Sequence, residues 1–202
     1  MFILHEFSKW AAASIVSLCV FSAFGAGDAP VKFKFSDEKA FIFKDNGVVR
    51  MKNPRGAASI DLPLDNVKSL ETTASVRAWG ENATASERAI HFEFTGEKGS
   101  LWIRFAGGRT DMILFQKDGK RKTSMLKEAL PVGEDTAFSE VKLIYADGNV
   151  KFFISGKEVV SGAGDIGALQ KLSIRGAAVA FEIKNIIVKC DGKDIKADLF
   201  AK

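Results

Sequence analysis

Side chains that bind metals or form disulfides are scarce in this chain of 202 residues, which has two cysteines, Cys19 and Cys190, two histidines, His5 and His91, and one tyrosine, Tyr145. A zinc site needs three or four Cys, His or acidic ligands at suitable spacing, and the chain spells out none. Long apolar runs are also missing. The uncharged apolar run Trp10 to Phe24 has about fifteen residues, short of the roughly twenty that a membrane helix requires. Charge of one sign is not abundant either: 29 Lys and Arg against 25 Asp and Glu give +4, without the basic stripe interleaved with aromatics that nucleic-acid binding uses. No nucleic acid is expected as a partner.

Lys9 precedes the apolar stretch, and Ala23 and Gly25 occupy the small-residue positions of a signal-peptidase site. Residues 1–25 therefore read as a secretory signal cut near Gly25-Ala26. Leu18 stands before Cys19 where a lipoprotein signal wants a small residue, which disfavours a lipid anchor. Glu6 offsets Lys9, so an uncleaved amphipathic anchor is the alternative. The expected location is secreted or periplasmic. About 177 residues remain, enough for one domain, 26–202, with its own core. Its lone Cys190 cannot form an internal disulfide, so stability must come from burial, and a thiol late in an apolar strand is expected to be buried and inert. The acceptor pattern Asn82-Ala83-Thr84 is read as chance.

What the chain has is dense, regular punctuation. Turn signals fall at Asp45-Asn46-Gly47, Asn53-Pro54, Gly80 to Asn82, Gly96 to Gly99, Gly107-Gly108, Asp118-Gly119, Pro131 to Gly133, Asp147 to Asn149, Gly162 to Gly164 and Asp191-Gly192. Short runs rich in Val, Ile, Phe and Thr separate them, and the one helical period is a turn near Ser124 to Leu130. This grammar predicts an all-β, two-sheet antiparallel sandwich. The most telling stretch is Ser139 to Val160, which reads as a hairpin about Asp147-Gly148-Asn149 and a short return after Ser155-Gly156-Lys157. The last run, Val179 to Val188, is long enough to split at Lys184-Asn185. Thirteen phenylalanines beyond residue 25 suit a thick dry core.

Alternation yields a candidate surface, because successive strand residues point to opposite faces. Ile90, Phe92 and Phe94 oppose His91 and Glu93; Leu101, Ile103 and Phe105 oppose Trp102 and Arg104; Ala74, Val76 and Ala78 oppose Arg77 and Trp79. If the three strands pair as a meander, Arg77, Trp79, His91, Glu93, Trp102 and Arg104 share one outward face. Sugar rings stack their C–H faces on indole and need charged or amide groups for their hydroxyls, so a glycan surface fits this mixture. The competing reading covers these residues with a loop or the N-terminal strands, packs the tryptophans and pairs Arg104 with Glu93.

The run LETTASVRAW (Leu70 to Trp79), the strands around His91 and Trp102, the hairpin VKLIYADGNVKFFISGKEVV and the closing AFEIKNIIV resemble the concanavalin A-like lectin/glucanase superfamily. The nearest flavour is the laminin-G-like domain and the related bacterial sugar-hydrolase-like domain of unknown function. The likeness runs from about Phe33 to Val188 and is most specific in the hairpin, where Phe153 and Ser155 stand in place of the commoner Tyr and Asn. It implies a jelly roll with one concave sheet and glycans bound on that face or its rim. Laminin-G-like domains often hold a rim calcium, but no acidic pair here is spaced to assign one, and Asp111, Asp147 and Asp165 read as turn or strand-end residues. No cofactor is assigned.

The superfamily includes hydrolases and lyases, so catalysis has to be weighed. Retaining hydrolysis needs two carboxyls about 5 Å apart, usually delivered in this fold by a Glu-x-Asp-x-x-Glu strand that the chain lacks. A lyase could draw on His91, Tyr145 and Arg104, but the lyase family's Gln-x-His strand is absent and Tyr145 reads as a hairpin anchor. Ser, His and Asp are present without a Gly-x-Ser-x-Gly elbow. The basic turn Lys117 to Lys122 reads as a solvated hairpin tip rather than a glycan contact. The expected function is non-catalytic recognition of a polysaccharide or glycoconjugate by a monomer with no membrane span. The alternatives are a glycan-active enzyme of this fold and a structural or adhesion envelope protein.

Overall fold

The computed structural model describes residues 32–35, 41–52, 57–79, 89–106, 109–126, 137–177 and 180–195, strands joined by tight turns and short connections. The segment read as a signal, residues 1–25, and the acceptor pattern at Asn82 lie outside them.

Two antiparallel sheets form. One has seven strands: β1 (Lys32–Phe35), β4 (Ala57–Val67), β6 (Ala89–Gly96), β7 (Gly99–Ala106), β8 (Arg109–Gln116), β9 (Arg121–Leu126) and β13 (Leu169–Ala177). Their spatial order is β1-β4-β13-β6-β7-β8-β9. The other has eight: β2 (Phe41–Asp45), β3 (Val48–Lys52), β5 (Leu70–Trp79), β10 (Ser139–Ala146), β11 (Asn149–Ile154), β12 (Lys157–Ala163), β14 (Ala180–Cys190) and β15 (Lys193–Ile195). Here the order is β12-β11-β10-β5-β14-β3-β2, with β15 beside β14.

The telling hairpin is present. Asp147 and Gly148 both have positive φ (49° and 70°), as do Ser155 and Gly156 (48° and 79°). Two consecutive left-handed residues make the tight turn whose twist matches that of its strands, which is why Gly occupies the second position. The return after Ser155 is a full strand, β12, in register with β11 apart from an irregularity at Phe152/Phe153. The run expected to split at Lys184-Asn185 stays one strand; Asn185 takes φ 54° and the register to β5 shifts between Lys184 and Ile187, so the polar pair makes a bulge, not a break. The helical turn expected near Ser124 is also corrected: Ser124 to Leu126 belong to β9, paired with β8, and residues 127–130 lie outside the described ones. Pro63, which cannot donate to a ladder, sits inside β4 where its register to β13 shifts.

Alternation builds the core. Ile60, Leu62, Ile90, Phe92, Phe94, Leu101, Ile103, Leu172 and Ile174 of the seven-stranded sheet face Val49, Met51, Leu70, Val76, Leu143, Phe152, Phe181 and Ile183 of the other, all buried. Phe92 and Phe152 meet across the gap with ring centroids 6.4 Å apart. Cys190 is buried among these side chains.

Tyr145 also points into this layer. Its hydroxyl donates to the carbonyl of Gly167 (2.9 Å) and accepts from the amide of Ile166 (3.3 Å). The turn between β6 and β7 grips the same segment, with the Lys98 amide on the Ile166 carbonyl (2.8 Å) and the Glu97 amide on that of Ala168 (3.1 Å). The 166–168 segment is thereby held from both sheets. Tyr145 anchors this strap rather than its own hairpin.

Candidate functional site

The six residues expected on one surface divide between the two sheets. Strand β5 pairs with β10 and β14, not with β6. Arg77 and Trp79 therefore belong to the eight-stranded sheet, and the three-strand meander does not form. A strand's neighbours are chosen by whole-chain packing, and the crossover after β5 carries the chain to the opposite layer. The backbone of Trp79 pairs with Ala180; its side chain is outside the described residues.

Arg77 has a structural occupation. Its Nε donates to Oε2 of Glu182 (2.8 Å) while Nε of Arg50 donates to Oε1 (2.7 Å), and both Nη2 groups add to the pairing. Burial works against charge on Glu182, but the two guanidiniums prevail and hold its carboxyl below the usual range. Phe138 lies under the same group, 4.8 Å from the Arg77 guanidinium carbon and 4.1 Å from Nζ of Lys184.

His91, Glu93, Trp102 and Arg104 do share a face, the outer one of the seven-stranded sheet. Strand register lays this face out in rows. Ser59, Arg175, His91, Arg104 and Asp111 run across β4, β13, β6, β7 and β8; beside them run Asp61, Ser173, Glu93, Trp102 and Ile113. Though turned away from the core, Asp61, Ser173, His91, Asp111 and Ile113 are buried, so the face is sheltered.

Its polar groups are matched in pairs. The Ser173 hydroxyl donates to Asp61 (2.8 Å), and Arg104 donates from Nε (3.0 Å) and Nη2 to Oδ2 of Asp111. Arg175 reaches Oε1 of Glu93 through Nη1 at 3.4 Å. The Arg104–Glu93 pair of the competing reading is thus replaced by Arg104–Asp111 and Arg175–Glu93, and Asp111 lies buried near the start of β8. Glu93 is pushed above the ordinary carboxylate range by burial, against the pull of Arg175 and Lys171.

His91 sits at the centre. Burial first, then Arg175 and Arg104, lower its pKa from 6.5 to about 4, so the ring is neutral near pH 7. Nδ1 lies 3.5 Å from Oε1 of Glu93, too far for a hydrogen bond, and is buried without a hydrogen-bond partner among the described residues. The imidazole meets Trp102 edge-on (centroids 5.6 Å, 65°), and the half-buried indole packs on Phe115 (4.7 Å, 56°).

Asp61, Asp111, Ser173, Arg175 and Lys171 complete the face, and the sequence reading did not assign them to it. Parity within Leu172-Ser173-Ile174-Arg175 was visible, but nothing local shows that β13 inserts between β4 and β6. The residues suggested for a lyase are not assembled either, because Tyr145 lies in the layer between the sheets while His91 and Arg104 face outward. Among the described residues no group of three His, Cys, Asp or Glu side chains is placed to hold a metal. Asp165 is occupied by Lys98 Nζ (2.8 Å) and the Gly167 amide (3.0 Å). The basic turn at Lys117 to Lys120 is an exposed hairpin tip. No described helix is long and apolar enough to cross a membrane.

No family model and no curated protein matches this chain. Solved structures do. A carbohydrate binding module, CBM66 from Bacillus subtilis, aligns with TM-score 0.59 at 8% identity over 75% of this chain and 92% of that one. A sialidase aligns at 0.58, with 14% identity over 78% of this chain and 16% of its own. The ligand-binding domain of botulinum neurotoxin serotype D, in complex with N-acetylneuraminic acid, aligns at 0.54, with 12% identity over 82% and 43%. The chain spans less than half of the toxin structure and less than a fifth of the sialidase. These likenesses establish the two-sheet β-sandwich.

Proposed function

We propose that this protein is a non-catalytic carbohydrate-recognition domain of the concanavalin A-like kind, acting outside the cytoplasm, and that the outer face of its seven-stranded sheet takes the sugar. The observation that carries the reading is the sheltered cluster of His91, Trp102 and Arg104 on two adjoining rows, in which an indole stands among polar groups that include the Arg104 guanidinium, held by Asp111, and the Arg175–Glu93 pair. A rigid sheet presents these groups with little ordering cost. Trp79 and Arg77 leave the proposed set, since they belong to the other sheet. Neighbours named as a carbohydrate-binding module and as a toxin domain in complex with N-acetylneuraminic acid add support through a shared architecture.

The test is a glycan array followed by titration calorimetry on wild type, Trp102→Ala and Arg77→Ala, each with its fold checked by circular dichroism. We expect Trp102→Ala to weaken binding about tenfold or more, as the loss of an aromatic stacking contact would, and Arg77→Ala to leave affinity unchanged. A folded protein that binds no glycan, or a Trp102→Ala variant with wild-type affinity, defeats the proposal.

A further inference from the structure

Charge on the candidate face is sorted by depth. The described residues there include three acids, Asp61, Glu93 and Asp111, and three bases, Lys171, Arg104 and Arg175. The acids are low: the Asp111 side chain is 1% exposed, that of Glu93 15%, and Asp61 is buried. The guanidiniums stand above them, at 21% for Arg104 and 37% for Arg175, with Lys171 half-buried alongside. A molecule arriving from solvent meets the cations first, and the acids beneath hold those cations in place.

The two arginines also flank one residue. Arg175 pairs across the ladder with His91, and His91 with Arg104, so the arginine Cα atoms are separated by two strand spacings, about 10 Å. Side chains of that length can converge over the imidazole between them, and both guanidiniums do act on it electrostatically. Among the described residues, each keeps donors in hand. A guanidinium has five N–H groups; Arg104 gives Asp111 its Nε and Nη2, and Arg175 gives Glu93 only a long 3.4 Å contact from Nη1. Planar forks with uncommitted donors match the oxygens of a carboxylate or sulfate.

Resting on the function proposed above, we infer that the glycan recognised by this face is acidic and that its carboxylate or sulfate group is seated between Arg104 and Arg175 over His91. Neutral sugar alone would leave those donors to water. The oxyanion takes the guanidinium N–H groups that Asp111 and Glu93, lying deeper, do not.

The experiment titrates the folded full chain with three acidic probes and their neutral counterparts: sialyllactose against lactose, oligogalacturonate against its carboxyl-reduced form, and a sulfated galactan oligosaccharide against its desulfated form. We expect at least one acidic member to bind tenfold or more tighter than its counterpart, with a preference that shrinks as salt is raised. Arg175→Gln should reduce that preference to threefold or less. This variant is the primary one because Arg175 is the more exposed arginine, whereas removing Arg104 disturbs its pair with the buried Asp111. Binding of the acidic probe should also raise the pKa of His91, followed by its imidazole carbon-bound proton resonances in NMR and assigned with His91→Gln. Equal binding of neutral and acidic partners, or a folded Arg175→Gln that keeps the preference, overturns the acidic-ligand inference and leaves glycan recognition standing. Binding of no member, acidic or neutral, by the folded protein overturns both.

Discussion

Acidification should destabilise this protein through one residue. The pKa of His91 falls from 6.5 to about 4 on folding because its ring is buried and faces Arg175 and Arg104. The unfolded chain therefore takes up the proton first. Stability from this source is complete above pH 6.5, drains as pH falls, and is gone below about 4. At about 1.36 kcal/mol per pH unit the whole effect is about 3 kcal/mol, of which about 2 kcal/mol is lost between pH 7 and pH 5. Against a typical total of about 5–15 kcal/mol for a single domain, that is a large share. Glu93, whose carboxyl is raised by burial, works in the opposite sense, gaining stability as it protonates. Glu182, Asp118 and Asp165 have lowered values and lose their contribution only at lower pH, below the window of interest. Urea unfolding followed by tryptophan fluorescence at pH 7, 6 and 5 measures the loss in wild type and in His91→Gln. The variant should lose about 2 kcal/mol less than wild type over this interval. Equal losses in the two proteins, or a folded-state titration of His91 near 6.5, would refute the argument.

Tyr145→Phe should leave the Gly167 carbonyl and the Ile166 amide without their hydroxyl partner, costing about 1–2 kcal/mol, and the melting temperature should drop by about 3–6 °C; no change in a thermal melt would show that the strap is held by the β6–β7 turn alone. Glu182→Gln should cost about 1–2 kcal/mol in urea unfolding, less than the roughly 3–5 kcal/mol of a fully buried pair, because water reaches Arg50 and Arg77. Burial, with a smaller push from Asp191, raises the Cys190 thiol to about 11. We therefore expect no reaction with a thiol-specific disulfide reagent at pH 8 until denaturant is added; labelling of the native protein would place Cys190 at the surface.

Local chemistry made much of the fold legible. Asp147-Gly148 and Ser155-Gly156 announced their turns because two successive left-handed residues favour Gly at the second position, and the strands they join followed from alternation. The same alternation separated Phe92 and Phe94 from His91 and Glu93, and Leu101 and Ile103 from Trp102 and Arg104, so the part of the candidate face on β6 and β7 could be read before any coordinates. Strand β12 was legible only as a short return, since its residues Glu158, Ser161 and Gly162 blur the period.

Which side of its strand a residue occupies, and where a strand turns, were determined by the sequence itself, because both depend on neighbours a few positions away and on pleating with a period of two. Beyond the hairpins, which strands lie side by side was decided by the tertiary structure alone. Strand β5 chose β10 and β14, which took Arg77 to Glu182, and β13 entered between β4 and β6, which brought Arg175 to His91 and Glu93. Pairings across some sixty to one hundred and twenty residues of chain are settled by closing two sheets over one core, and no short segment carries that information.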